Sequence, residues 1–458
     1  MNIEPIKISK INKNRLDIFL LSTRNPLINF IVKEVEYYSN DDASILGIIL
    51  FDYTDEDFNY VLIVRDENKQ FRAIETKTDF KYIDDARNTL INSMKWKTSQ
   101  ELRMVPQGIS KKGIKLFNIV VPDSKLHPYF KRLSEDSHFI PSKKTLIEIS
   151  NHFEDIDGNF IEQFQSINGF DARIWEIYLF AVFIELNFEV NRSYSRPDFL
   201  IKKGEIEIGI EAVVVSRKND NPPTYLNLKP LKAPYQIKND LENDAQLRFG
   251  STLYSKLKKD YWKLPNIQGK AFIIAIADFH DTASMTWTSP ALTEYLYGLK
   301  VKVKKTKSGE DYVYMEKAKP YLKESGIEIE SGFFFQEGAE NISGILFSST
   351  GTLSKFTRMG IQAEFGIKNQ VVRRFGDIYN SDPNSIDPIP FTYIVSEDSY
   401  EKWNEGVNLF HNPNAIHPIP MELFDHIAHH KLIDGEICSW LPEFHPISSM
   451  DVNSVIRE

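Results

Sequence analysis

Short apolar runs separated by polar turns open the chain. SILGIILFDYT and FNYVLIVRDE are joined by a turn at 55–57, and a second turn at 66–70 leads into FRAIETKT. Runs of this length, rich in branched and aromatic residues and bounded by turn residues, are typical of antiparallel strands. The pattern predicts a meander over residues 44–78.

A helical period replaces the strand pattern at residues 84–97. One side of this helix carries the apolar residues Ala86, Leu90, Ile91 and Met94. Helix and meander together predict a small N-terminal α+β domain over residues 1–140, with a role in recognition or regulation.

A second unit follows a segment at 122–144 that is rich in Pro, Ser, His and Lys and is the best linker candidate. The unit begins with a helix and continues as strand, strand, strand, helix and strand. These elements are predicted at residues 171–187, 188–192, 196–216 (a hairpin), 239–262 and 270–278. The tail predicts a helix near 290–298, a charged hairpin at 299–314, a strand at 343–349 and Pro-rich irregular sequence over 382–420.

The composition narrows the class of protein. At 458 residues the chain is long enough for two or three domains. The single cysteine, Cys438, excludes an intrachain disulfide framework and a CxxC zinc site. No segment has the pattern of a signal peptide, and none approaches the roughly 18 apolar residues of a transmembrane helix. We expect a soluble, cytoplasmic protein with no membrane partner.

The charge pattern gives two opposing indications. The net charge of −9 does not favour a nucleic-acid binder. Two short strips, at 256–263 and 300–307, are nevertheless rich in lysine. A basic strip in an acidic chain can follow a phosphate backbone. Solvated helix faces and a basic hairpin explain each strip equally well.

Two acidic residues fall in a hairpin where acids are not expected. Asp198 lies in RPDFLI, and Glu211 lies in the returning run IEIGIEAVVV. Folding the chain about Gly204 places Asp198 roughly opposite residues 209–211, so the two carboxylates converge near one end of the hairpin. Glu211 leads into an apolar run, and a buried ionised carboxylate is costly unless it is paired or binds a cation.

A third acid, Glu176, lies on the preceding helix with apolar neighbours at i+3, i+4 and i+7. Three carboxylates held together repel one another, and a divalent cation relieves that repulsion. Oxygen ligands with room for water suit Mg²⁺ or Mn²⁺, which activates water and stabilises charge on a phosphate. Each acid alone is more typical of a surface residue or an ion pair, so the order of all three carries the hypothesis.

This order of helix Glu, Pro-Asp, hairpin and Glu resembles the PD-(D/E)XK, or restriction-endonuclease-like, nuclease superfamily over about residues 170–280. The resemblance implies an α/β (mixed α+β) fold in which a mixed central sheet is flanked by helices. It places the nuclease domain at 145–458, with its core at about 170–350 and a C-terminal extension. It also implies Mg²⁺-dependent hydrolysis of phosphodiester bonds, with Asp198 and Glu211 as metal ligands and Glu176 as an auxiliary catalytic acid.

One position departs from the superfamily pattern. Its lysine is expected at position 213, where this chain has Val213. Some members supply the lysine from the following helix, and Lys256 is the preferred substitute here, with Lys258 second. A lysine in that place would orient or deprotonate water and offset phosphate charge. An exposed helix lysine is an equally good interpretation of Lys256. Gln246, on the buried side of the same predicted helix, is a further polar residue that could face the site.

Further stretches extend the resemblance along the chain. DARIWEIYLF, RPDF, LYSKLKKDYW and GILFSSTGTLSKFTRMG resemble bacterial proteins of this superfamily found among anti-phage defence genes, some loosely labelled "glycosaminoglycan attachment site" proteins. The resemblance implies a nuclease in antiviral defence that stays silent until triggered. Nucleic acid is therefore the expected partner, DNA more than RNA, and a homo-oligomer is left open.

Two other motifs carry weaker hypotheses. His426, His429 and His430 are spaced to share one helical face, and zinc binding with His411 and His417 is one interpretation. Capping or packing histidines are the favoured alternative. The hydroxyl-rich SSTGTLS at 348–354 lacks the GK[ST] of a phosphate loop, so it predicts a turn.

Two alternatives to an active nuclease stay open. The absence of a lysine at Val213 favours a catalytically inactive nuclease-fold module that binds nucleic acid or a partner protein. A structural or signalling scaffold is the third hypothesis, and such a scaffold would bind no divalent ion.

Overall fold

The structure is a computed structural model, and it describes residues 6–21, 23–24, 28, 30–99, 113–216, 232–305, 309, 311–323, 325–382 and 387–456. Within these residues the chain is a mixed α/β protein, as the sequence predicts. Its largest sheet has eight strands and packs against helices on both faces. A five-stranded sheet precedes it in the chain, and a three-stranded sheet includes the last strand.

The N-terminal sheet is an antiparallel meander, as the strand pattern predicts. Its elements are β1 (Ile8–Lys10), α1 (Lys13–Leu20), β2 (Val32–Asn40), β3 (Ile45–Asp52), β4 (Phe58–Arg65), β5 (Phe71–Phe80) and α2 (Ile83–Thr98). Leu90 and Met94 of α2 are fully buried against this sheet. A Cβ on Gly47 of β3 would lie 2.8 Å from Leu90 Cδ1 and Met94 Sδ, so a glycine is needed for so close an approach.

The linker predicted at 122–144 is wrong. These residues contribute α3 (Pro128–Glu135) and the start of α4 (Ile140–Ser150), and α5 (Phe160–Gln165) follows. Phe130 and Leu133 are buried in a hydrophobic core that also contains residues of α1 and of the central sheet. Polar composition was a poor guide because each short helix buries one apolar side and exposes the rest. The boundary between the two domains stays a prediction.

The first half of the central sheet follows the predicted order of helix, three strands, helix and strand. Its elements are α6 (Phe170–Glu185), β6 (Glu189–Asn191), β7 (Phe199–Lys203), β8 (Ile206–Val215), α7 (Pro234–Asn239), α8 (Ala245–Leu257), β9 (Ala271–Asp278) and α9 (Ser289–Tyr297). The single helix predicted at 239–262 is divided, because a π-helical turn at Asp240–Asp244 joins α7 to α8, and α8 ends before the predicted boundary.

The rest of the chain completes this sheet and adds smaller ones. Its elements are β10 (Leu299–Lys305), β11 (Asp311–Lys317), β12 (Tyr321–Leu322), β13 (Glu328–Ile329), β14 (Gly344–Ser348), α10 (Leu353–Gln362), β15 (Gln370–Ile378), β16 (Ile389–Ile394), β17 (Val407–His411), β18 (Ala428–Ile433), β19 (Glu436–Trp440) and β20 (Pro446–Val455). The segment predicted to be irregular, 382–420, contains β16 and β17, because short strands lie between its proline-rich loops.

The eight strands of the central sheet lie in the order β19-β18-β17-β14-β9-β8-β7-β6. β8, β9 and β14 are parallel, whereas β6, β7 and β8 pair antiparallel. Every residue of β9 is buried, since α6 contributes to the core on one face and α8 and α9 to the core on the other. A continuously apolar strand such as β9 is typical of a sheet covered on both faces.

Candidate active site

The β7–β8 hairpin brings together the two carboxylates that were expected to converge. Phe199 pairs with Ile210 in this hairpin, so Asp198, one residue earlier, lies beside Glu211. The Oδ2 atom of Asp198 accepts a hydrogen bond of 2.8 Å from the backbone N–H of Ala212. The hairpin register thus holds both acids at the same end, near where β8 enters the buried part of the sheet.

Glu211 receives its partners from beyond the hairpin. Its Oε1 atom accepts a hydrogen bond of 2.7 Å from Lys256 Nζ, on α8, and one of 2.6 Å from the hydroxyl of Tyr261. Glu211 is buried and Lys256 is partly buried. The helix that follows the hairpin therefore supplies a lysine at the acid pair, where the sequence has Val213 on the strand.

The second-choice lysine does not join the site. Lys258 is exposed, and its Nζ atom lies 4.9 Å from the ring centre of Tyr254. Gln246 is buried as predicted, but its Nε2 atom donates to the backbone carbonyl of Leu241 at 2.7 Å. Neither side chain has a described contact with the carboxylates.

Glu176 is buried on α6 and is paired with two arginines. It forms ion pairs with Arg173, one helical turn earlier, and with Arg192 at 3.2 Å. Arg192 also stacks on Phe153, with its guanidinium carbon 3.6 Å from the ring centre. Among the described residues, no group of three or more His, Cys, Asp or Glu side chains is arranged to hold one metal ion.

The burial of Asp198 and its position near two other acids affect its pKa. Burial raises its pKa well above the usual range, and the neighbouring charges of Glu176 and Glu211 raise that pKa further. The N–H of Ala212 and the charge of Arg192 act in the opposite direction but do not cancel the rise. Asp198 forms no ion pair within the described ranges, so it is the carboxylate at which a bound cation would gain most.

A small cavity of about 20 Å³ adjoins Asp198. Arg173, Arg192 and the acidic residues Asp155 and Asp157 also line it, and exposed Tyr194 stands at its edge. Such a volume is about enough for one water molecule. The cavity is therefore too small to hold an organic substrate.

Three residues at the site were not identified from the sequence. Arg173 precedes Glu176 by three positions on one helix, and this spacing is a signal that could have been used. Arg192 and Tyr261 carry no comparable pattern, because strand ends and a short 3₁₀ turn bring them in from distant parts of the chain.

The helical face predicted for His426, His429 and His430 is wrong. His429 and His430 lie on β18, where successive side chains point to opposite faces. His429 shares a hydrogen bond of 2.9 Å with His411, whereas His430 contacts Ser439 and Asn408. Burial lowers the pKa of His411 to about 3 and that of His430 to about 3, so these histidines are neutral packing residues at pH 7.

The remaining sequence motifs form ordinary turns and strands. SSTGTLS turns from β14 into α10, as predicted. The second basic strip lies on the exposed β10–β11 hairpin, where Lys300 pairs with Glu294 at 3.6 Å, and Lys307 lies outside the described residues. Of the helices in the described ranges, none is both long and apolar enough to cross a membrane.

Comparison of the chain with protein-family models, with curated proteins and with solved structures finds no match. The chemistry of the site is therefore argued from its own residues.

Proposed function

We propose that the protein is a metal-dependent nuclease of the PD-(D/E)XK type that hydrolyses phosphodiester bonds. The observation that carries the proposal is the contact of Lys256 with Glu211, beside Asp198 on the same hairpin. Two acids on adjacent strands and a lysine from the following helix provide negative charge for a cation and positive charge for a phosphate.

Mg²⁺ or Mn²⁺ would be held by Asp198 and Glu211. The raised pKa of Asp198 supports this assignment, because a cation there would offset the repulsion from the neighbouring acids. Mg²⁺ is commonly held by one or two carboxylates together with water and substrate oxygens, so a cage of three protein acids is not required. When bound, the ion supplies an activated water and charge stabilisation on the phosphate.

The remaining groups position these ligands. Lys256 and Tyr261 fix Glu211 through its Oε1 atom and leave Oε2 available. The Lys256 ammonium would also offset charge on a phosphate beside the acids. Arg173 and Arg192 hold Glu176, so we assign Glu176 a positioning role rather than metal ligation.

The biological setting follows from the sequence resemblance alone. We propose DNA as the substrate ahead of RNA, a role in bacterial anti-phage defence and a cytoplasmic location. The N-terminal sheet would recognise substrate or restrain activity.

A catalytically inactive module that binds nucleic acid or a partner protein is the second candidate function. The observation that favours it is the internal pairing of two of the acids, Glu176 by two arginines and Glu211 by Lys256. Acids neutralised within the protein need no metal. Under this hypothesis the protein binds nucleic acid equally well in EDTA and in Mg²⁺.

The deciding experiment is cleavage of plasmid DNA and of total cellular RNA by the purified protein in Mg²⁺, Mn²⁺ or EDTA. Asp198→Asn and Glu211→Gln should lower the cleavage rate by about 100-fold or more. Glu207→Gln is the matched control, because Glu207 lies on the same strand, four residues before Glu211, and pairs with Lys270 at 3.0 Å away from the site.

The melting temperature in Mn²⁺ separates the two candidates when no cleavage is seen. A ligand at about 100 times its Kd stabilises a protein by about 2.7 kcal/mol. Stabilisation that disappears in Asp198→Asn would support a metal site that awaits a trigger. Equal melting temperatures with and without Mn²⁺ would reject the metal-dependent nuclease and favour the inactive module.

A further inference from the structure

A cavity of about 370 Å³ lies where the N-terminal sheet meets helix α4. It is lined by the end of β1, by α1, by the turn after β2, by Arg65 at the end of β4, by α4 and by Phe365, so six separate chain segments form its wall. Small-molecule sites in proteins have volumes of about 300–1,000 Å³. Unlike the small cavity at Asp198, this one is large enough for an organic ligand.

Two of the four cations in its wall are already neutralised. Arg65 pairs with Glu148 at 2.9 Å, and Lys10 pairs with Glu36 at 3.1 Å. The Arg65–Glu148 pair also connects the N-terminal sheet to α4. This structural role accounts for the ion pair without a ligand.

The other two cations, Arg15 and Lys144, form no ion pair in the described part of the chain, although the charge of Glu364 acts on Arg15 and partly offsets the effect of burial on its pKa. Arg15 donates from Nη2 to the backbone carbonyl of Glu364 at 3.0 Å, but its buried Nε atom has no hydrogen-bond partner in the described part of the chain. Lys144 has no ion pair within the described ranges, and its nearest aromatic contact is Phe365, 5.8 Å from Nζ to the ring centre.

These two cations are close enough to disfavour each other. Burial lowers the pKa of Lys144, and the charge of Arg15 lowers it further. Burial also lowers the pKa of Arg15. Two like charges facing one cavity are stabilised by an anion between them, and a phosphate accepts hydrogen bonds from both arginine and lysine.

Acceptors also line the cavity. Asp41 and Asp42 are exposed at the turn after β2, and Asp42 accepts hydrogen bonds from Ser44. Carboxylates in the wall suit hydroxyl or amino groups of a ligand rather than a second phosphate. The wall therefore matches a molecule that carries both an anionic group and hydrogen-bond donors.

We propose that this cavity binds a phosphate-bearing small molecule of nucleotide size, with Arg15 and Lys144 holding the phosphate. The ligand would touch both the N-terminal sheet and α4 and would be distinct from any nucleic acid at the carboxylates. The site is independent of the proposed nuclease activity.

The test is isothermal titration calorimetry of the full chain with inorganic phosphate, pyrophosphate and ADP as probes. We expect saturable binding of ADP, weakened about tenfold or more in Arg15→Gln and in Lys144→Gln, because each loses a charge-assisted hydrogen bond. Lys143→Gln is the matched control. Lys143 precedes Lys144 on the same helix, but its Nζ atom donates to the backbone carbonyl of Ser134 at 2.8 Å.

Thermal melting of each variant checks folding, and the exposed Lys144 decides the result should Arg15→Gln be unstable. No binding of any probe to the unmodified chain would overturn the proposal. Wild-type affinity in Lys144→Gln, or equal weakening in Lys143→Gln, would also overturn it. Equal affinity for inorganic phosphate and ADP would reject a ligand of nucleotide size.

Discussion

Two clusters of charge in this protein contain the same numbers of acids and bases but connect them differently. The candidate site contains Glu176, Asp198, Glu211, Arg173, Arg192 and Lys256. The second cluster, which we call the C-terminal cluster, contains Glu401, Glu405, Asp451, Lys355, Arg358 and Arg374. Each cluster thus has three acids and three bases.

In the C-terminal cluster the central acid is surrounded by the bases. Glu401 accepts hydrogen bonds from Lys355 at 2.6 Å and from Arg358 at 2.8 and 2.9 Å, and Arg374 lies 3.5 Å away. Burial alone would raise its pKa, but the three neighbouring cations hold that pKa well below the usual range. The cluster is closed and excludes water, which is typical of a structural role.

In the candidate site the bases lie at the outer acids instead. Arg173 and Arg192 pair with Glu176, and Lys256 pairs with Glu211. Asp198, between them, has a backbone N–H as its hydrogen-bond donor within the described ranges and a raised pKa. The comparison teaches that connectivity, and not the number of charges, decides whether every acid of a cluster is paired or one is left without an ion pair in the described part of the chain.

The largest effect is expected from breaking the structural cluster. Glu401→Gln should lower the free energy of unfolding by about 3–5 kcal/mol, because it leaves buried cations without their partner. Urea unfolding of the purified variant measures this. Asp398→Asn, at an exposed neighbouring position, should change the same quantity by less than about 0.5 kcal/mol. Similar stabilities for the two variants would contradict the structural role.

The corresponding change at the candidate site should affect activity instead of stability. Asp198→Asn should lower the cleavage rate by about 100- to 1,000-fold, the range found for removal of one stabilising group at an active site. Its melting temperature at pH 7 to 8 should equal or exceed that of the unmodified protein, because a buried charge without an ion pair is removed. A destabilisation as large as that of Glu401→Gln would contradict the distinction between the candidate site and the structural cluster.

The role of Lys256 can be tested with one variant that removes its positive charge and one that keeps the charge on a side chain of different shape. Lys256→Met should slow cleavage by about 10- to 100-fold and lower stability by about 1.5–3 kcal/mol, since Glu211 loses a charged partner. Lys256→Arg keeps the charge and should restore stability, but it should restore the rate only in part, because the planar guanidinium does not occupy the same position as the compact ammonium beside Glu211. Lys258→Met is the control on the same helix. Recovery of the full rate in Lys256→Arg would reduce Lys256 to an ion-pair partner.

The smallest effect is a pH dependence of stability that has opposite signs for Asp198 and Glu401. The folded-state pKa of Asp198 is raised, so the folded state binds protons more tightly there and the ionised group costs stability as pH rises above its unfolded value of 3.8. The stability advantage of Asp198→Asn should therefore grow from pH 4 upward. The advantage would be measured as a difference in melting temperature at pH 4 to 8.

The opposite sign holds for Glu401 in the C-terminal cluster. The pKa of Glu401 is lowered, so its stabilisation is present above the unfolded value of 4.5 and is lost as pH falls through the folded value. The stability deficit of Glu401→Gln should shrink below pH 4.5. An equal sign for the two variants across this range would remove the electrostatic distinction between the clusters.

The local sequence pattern was sufficient to predict much of the central sheet. The period of α6, the turn at Gly204 and the apolar run of β9 are each determined by neighbouring residues, so those elements were predicted within a few positions. The convergence of Asp198 and Glu211 was predictable for the same reason, since a short hairpin sets its own register.

Local pattern failed where tertiary contacts decide the structure. The histidine spacing of FDHIAHH fits a helix, but pairing with β17 makes it a strand. The C-terminal cluster had no sequence signal either. Lys355 and Arg358 lie in a polar-looking stretch of α10, and they are buried because Glu401 and Asp451 come to them from more than 40 and 90 residues away.

The sequence by itself determined the order of elements in the first half of the central sheet, the acid pair and the candidate lysine, because these depend on hydrophobic period and on a short hairpin. Tertiary structure decided which acid each base neutralises, and so which acid remains without an ion pair. Arg192 and Tyr261 reach the site from distant positions, and a buried charge is stabilised or destabilised by whatever lies within a few ångströms in space. The spatial distance between two such groups cannot be inferred from any short stretch of the sequence.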